Sequence, residues 1–181
     1  MDKELVCERL KSAQKRLDQL CALNHGNLPG AIPHERQQLV QEFFFHVIGA
    51  IDVLAQCVND AQGLAIDSEE VSVTSVVKRR PAGCALSMAL APLYVRTRGA
   101  QVPSNPYTDQ ALLFRTYNYR HQVTHRGANP FLFRIGALPA SSFRIDPRDD
   151  TRGYSAQSAT EEMQRMKDLV QANCNSALCQ L

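Results

Sequence analysis

The sequence predicts a mainly α protein, a helical bundle with a small β-hairpin before its C-terminal helix, in one domain over residues 1–181. Three observations carry this expectation. Long segments repeat apolar residues at a spacing of about 3.6, the period of a helix with one buried face. Strand-like vocabulary is confined to two short runs late in the chain. A length of 181 residues with 44% apolar content is enough for one core and argues against disorder along the whole chain.

The first helix is expected over 2–23, where Leu5, Val6, Leu10, Ala13, Leu17, Leu20 and Cys21 keep the helical period. The connector 24–33, with two Gly and two Pro, ends it. A second helix over 34–58 carries an inward stripe of Leu39, Phe43, Val47, Ala50, Ile51, Leu54 and Val58. Phe44 and Ile48 widen that stripe to a second packing surface, filled either within the bundle or by another subunit. His46, beside them, reads as a buried and hydrogen-bonded side chain. Residues 59–63 supply the stop.

Residues 69–79 contain VSVTSVV, which alternates like a strand but runs into a basic stretch and Pro81; a short helix is expected. The most apolar stretch, 83–95, reads as a buried helix interrupted or ended near Pro92, and its 13 residues are too few to cross a bilayer. After a loop over 98–106, a helix from Tyr107 or Thr108 continues to His125, before Gly127, Asn129 and Pro130. Strands are expected over 131–135 and 142–145, joined across 136–140, followed by a solvated charged turn over 146–158. A last helix over 159–178 packs through Met163, Met166, Leu169, Val170 and Cys174.

Charge is uneven. Residues 1–75 hold six Lys/Arg against eleven Asp/Glu, whereas residues 76–152 hold twelve against four. An Arg-rich middle attracts phosphate, although Lys78, Arg79 and Arg80 equally suit a solvated face. The six cysteines form no CxxC pair, and Cys7, Cys57 and Cys84 sit among apolar neighbours, so reduced thiols in a cytoplasmic protein are expected. No secretory leader or membrane partner is expected. Neither GxGxxG nor GxxxxGK[ST] occurs, which excludes the Rossmann and P-loop phosphate cradles, and no cofactor is expected.

The segment YRHQVTHRG, Tyr119 to Gly127, concentrates chemistry at a helix end. The imidazole of His125 can take a ribose 2′ proton near neutral pH, and the guanidinium of Arg120 can bind two phosphate oxygens as negative charge develops. A purely structural reading stands beside this one, with Arg120 capping carbonyls or pairing with an acid. His121 and His125, four residues apart, also have the spacing to share a metal, but no HExxH accompanies them. Tyr117 and Tyr119 read as core or interface aromatics.

Arg120, four intervening residues and His125 resemble the Arg-x4-His motif of the HEPN (higher eukaryotes and prokaryotes nucleotide-binding) superfamily. His121 takes the polar position after the Arg, where Asn is common. The resemblance implies a helical bundle of the HEPN type over the whole chain and a metal-independent endoribonuclease, of the kind found in toxin, phage-defence or RNA-processing systems. It further implies a homodimer whose two motifs meet in a cleft, with RNA or nucleotide as ligand and a regulatory protein as a further partner. Arg120 would clamp the phosphate, His125 act as general acid and base, and His121 support them. Noncatalytic members imply the alternative of an RNA-, nucleotide- or protein-binding module. On a regular helix Arg120 and His125 lie about 140° apart, so direct cooperation requires local distortion or residues from two subunits.

Overall fold

The computed structural model describes residues 3–25, 33–81, 83–95, 103–125, 131–133, 141–149 and 153–181. Among these, six helices dominate. Helix α1 (Lys3–His25) lies along α2 (Pro33–Ala61), followed by α3 (Val73–Arg79), α4 (Ala85–Leu90) and a short 3-10 turn, Ala91–Leu93. Helix α5 (Asp109–His125) precedes two three-residue strands, β1 (Phe131–Phe133) and β2 (Ser141–Phe143), and α6 (Ala159–Leu178) closes the order. The strands pair antiparallel, with Phe131 opposite Phe143. Their connection, 134–140, lies outside the described residues, as do the expected stop signals Gly127, Asn129 and Pro130.

Helix α2 is the centre of the bundle and packs against α1, α3, α5 and α6. Its segment Glu35–Ala61 has the length and apolar composition of a membrane span, so the apolar maximum is here and not at 83–95. Within this fold 56% of that window is buried inside the molecule, as befits a helix with neighbours on several sides. Phe44 and Ile48 are among the buried positions. Phe44 meets Tyr119 of α5 at 5.6 Å between ring centroids and Phe143 of β2 at 5.9 Å, and Tyr119 meets Phe143 at 4.7 Å. The second packing surface of α2 is thus filled by the chain itself, which removes the sequence argument that called for another subunit there.

Local chemistry explains the ends of several elements. Ser72 caps α3 in a reciprocal box with Ser75, and Ser158 caps α6 with Glu161. The apolar 83–95 stretch is a helix only over Ala85–Leu90; Pro92 follows in the tighter turn, since its ring removes a backbone donor. Between α2 and α3, Asn59 holds both backbone groups of Ile66: its side-chain amide donates to the Ile66 carbonyl at 3.2 Å, and its oxygen accepts from the Ile66 N–H at 3.0 Å.

The segment after β2 differs from its sequence expectation. In place of a solvated turn it forms a strap over α5, with Asp146 and Ser155 buried and Arg144 bridged to Tyr154. The Tyr119 hydroxyl donates to the Arg144 carbonyl and the Gln122 amide to the Pro147 carbonyl. The Asp146 carboxylate, an apparent solvent charge in sequence, accepts from Arg148 Nε at 3.1 Å, and the Arg148 guanidinium lies 4.6 Å from the Phe114 ring centroid. Of the thiols, all six are free; Cys57 and Cys174 are buried, but Cys7 is exposed, contrary to its apolar sequence surroundings.

Candidate functional site

Helix α5 carries two arginines with opposite surroundings. Arg115 is 1% exposed, and both terminal nitrogens are engaged: its guanidinium donates to Glu162 Oε2 of α6 at 2.8 Å and to the Pro106 carbonyl at 2.7 Å. Burial raises the Glu162 carboxyl above its ordinary value against the pull of Arg115 and a Ser155 hydrogen bond. Arg120, five residues later, is only half-buried. It has no hydrogen bond or ion pair among the described residues.

What Arg120 does face is an acid. Asp52, on the outer side of α2, senses both Arg120 and Arg9 of α1. Although its surface is open to solvent, the protein packed around it raises its carboxyl, and the two arginines pull the other way. Tyr117, one turn before His121, also senses Asp52, but its hydroxyl is spent on the Leu93 carbonyl at 3.0 Å, which ties α5 to the 3-10 turn. Tyr117 and Tyr119 are therefore structural, as their sequence setting suggested.

The three predicted site residues are placed unequally. Arg120 and His121 occupy the last turns of α5, half-buried and exposed respectively, and α5 extends to His125. The His125 side chain is not among those described, so its geometry to Arg120 is not on view. Among the described residues no three His, Cys, Asp or Glu side chains gather as a metal site.

The twelve cations of the basic middle also divide. Seven lie among the described residues, and five of these are used internally. Arg79 reaches the Leu64 carbonyl and Arg80 the Gln62 side chain, at 3.5 and 2.6 Å. Arg115 and Arg148 have the partners given above, and Arg144 lies 6.0 Å from the Tyr154 ring centroid. Lys78 and Arg120 alone of the seven have no such partner among the described residues.

Residues of α1 and α2 complete this face. Phe45 is 54% exposed, and Arg9 lies over its ring at 5.2 Å. His46 is half-buried and not the enclosed, hydrogen-bonded histidine expected: its Nδ1 is buried with no hydrogen-bond partner among the described residues. Burial, then Arg9 and Arg16, lower its imidazole below the ordinary value, with Glu42 opposing, which favours the neutral ring. Asp52 did leave a signal, being the only charged residue between Glu42 and Asp60 in an otherwise apolar run.

A cavity of about 550 Å³ opens elsewhere, at the start of α5, between Asp109, Leu113, Leu169 of α6 and Pro92. Ten residues of helix, about 15 Å, separate that end from Arg120. Comparison with family models, curated proteins and solved structures finds no match to this chain.

Proposed function

We propose that the chain is a HEPN-like, metal-independent endoribonuclease that acts as a homodimer, with Arg120 as phosphate clamp and His125 as proton carrier. The observation that supports this reading is Arg120, half-buried near the end of α5 without a hydrogen bond or ion pair among the described residues, in a chain whose other described arginines of the basic middle are spent on internal contacts.

In the reaction the ribose 2′ oxygen attacks the adjacent phosphorus and the bond to the 5′ oxygen breaks. The base takes the 2′ proton, and a protonated imidazole supplies one to the leaving 5′ oxygen. The products are a 2′,3′-cyclic phosphate and a 5′ hydroxyl. Arg120 holds the non-bridging oxygens as charge builds on them, His125 exchanges the protons, and His121 supports either group. The second copy of the motif in a dimer provides the partner imidazole that a single regular helix sets far from its own arginine.

Purified protein is expected to cleave single-stranded RNA in excess chelator and leave cyclic phosphate ends. Arg120→Ala and His125→Ala, with unchanged circular dichroism and a light-scattering mass of about two chains, should each lose roughly 10²-fold or more in rate. Full activity in the His125 variant overturns its role. Tight RNA binding without cleavage of any substrate turns the assignment to a noncatalytic binding module, in which Arg120 serves as a phosphate contact.

A further inference from the structure

Phe45, Gly49 and Asp52 follow one another along the outer side of α2, separated by four and three residues, the steps that keep side chains on one helical ridge. The ridge from Phe45 to Asp52 is about 10 Å long. Phe43 and Phe44 are wholly buried, whereas the adjacent Phe45 leaves 54% of its surface in solvent at the middle of a long helix, a position that folding alone does not call for. Gly49 keeps the ridge low. A Cβ there would stand 3.6 Å from Arg9 Nε, an ordinary contact distance, which places the Arg9 side chain against α2 on its way to the Phe45 ring.

Arg9 lies over the Phe45 ring but donates to no oxygen of the described residues. It has no hydrogen bond or ion pair among the described residues, and its buried Nε lacks an acceptor there. At the other end Asp52 senses both Arg9 and Arg120, and so offsets the repulsion between two guanidiniums that approach it from α1 and α5. A half-exposed ring with Arg9 over it, and a second guanidinium further along the ridge that makes no hydrogen bond or ion pair among the described residues, matches what a single strand presents, a flat base and a charged phosphate.

We infer that the Phe45–Gly49–Asp52 ridge is a binding track for single-stranded RNA, in which a base stacks on Phe45 and the adjoining phosphate is held by Arg9 together with Arg120. This inference rests on the reading of Arg120 as an RNA phosphate ligand. It gives the single-stranded preference a physical origin, since a base can stack only if it is unpaired, and duplex RNA is disfavoured.

The test is fluorescence-anisotropy binding of a short labelled single-stranded RNA and of a series carrying one abasic nucleotide at successive positions. Wild type, Phe45→Ala, Phe45→Tyr, Arg9→Gln and Arg120→Ala are compared, each checked for an unchanged melting temperature. Phe45→Ala is expected to weaken binding about tenfold, the order of one lost base stack, and Phe45→Tyr to retain it. One abasic position should weaken wild type to the same degree and leave Phe45→Ala unaffected. Arg9→Gln should lower the slope of log affinity against log salt by about 0.7, the share of one phosphate on a single strand. If Phe45→Ala binds intact and abasic strands as wild type does while Arg120→Ala loses affinity, the track is wrong and the Arg120 reading stands. If Phe45 responds as expected and Arg120→Ala does not, the clamp assignment fails and a track without Arg120 remains. No RNA binding by the wild type overturns both.

Discussion

Arg115 and Arg120 share a helix and a side-chain type, yet removing them should have unlike consequences. Arg115 and Glu162 are 1% and 0% exposed, so loss of one leaves the other as an uncompensated charge in the core. Arg115→Met is expected to cost about 3–5 kcal/mol by urea unfolding, whereas Arg115→Met with Glu162→Leu should recover much of that loss because no lone charge remains. Arg120→Met, at a half-exposed position without such a partner, should change stability by less than about 1 kcal/mol. A large cost for Arg120, or none for Arg115, would contradict this division. Sequence gave the two arginines no such distinction, because Glu162 lies 47 residues from Arg115 and no local rule links them. Phe44 and Phe45 pose the same problem. Adjacent phenylalanines on a helix point about 100° apart, and only the position of α5 and β2 decides which one is enclosed.

At the scale of elements, periodicity located the long helices well, since a buried stripe is a property of the segment itself. Helices α1, α2 and α6 follow their apolar repeats nearly end to end. Helix α5 was legible in extent but not in role: Arg115, Thr116, Asn118 and Gln122 are all buried on it, where they mark contacts with α6, the preceding turn and the strap. The strap could not be foreseen, because Arg148, itself exposed, neutralises Asp146 at close range and so lets that carboxylate be buried. Of the candidate site, the α5 portion was visible as a motif, but Arg9, Phe45 and Asp52 acquire meaning only when α1 and α5 are set on either side of α2. Helix starts yield to simpler rules. Ser158 accepts from the Glu161 N–H at 3.2 Å, and Glu161 returns a bond from its carboxylate to the Ser158 N–H at 3.2 Å. Ser158→Ala is expected to destabilise the protein by about 1 kcal/mol, and Ser158→Asp, which keeps the capping oxygen and adds charge at the positive helix end, to restore most of it. Thermal unfolding of the three proteins checks the order.

Across the whole molecule, the buried acids of α5 and α6 set the response to alkali. Burial, with a smaller contribution from Cys7, pushes the Cys174 thiol up to about 12 from 9.0. Burial likewise raises the Tyr117 and Tyr119 phenols above their ordinary 10.0. Each group is neutral when protonated, so the folded protein keeps protons that the unfolded chain releases. Between the unfolded and folded values of such a group the native state binds more protons, and stability therefore falls as pH rises. For Cys174 the window opens near 9 and extends to about 12. The loss within it approaches about 1.4 kcal/mol per pH unit for one group, and the tyrosines add to it from near 10 upward. Urea midpoints should consequently stay level with respect to these groups between pH 7 and 8 and decline from pH 9. Cys174→Ala lowers stability at neutral pH by leaving a small void, but its curve should be flatter than wild type between pH 9 and 10, before the phenols enter. Parallel curves for the two proteins over that unit would show that Cys174 does not hold its proton through folding. A variant flatter than wild type between pH 9 and 10, with both proteins falling further above pH 10 as the phenols enter, would place the thiol and the two phenols in the core where α1, α5 and α6 meet α2.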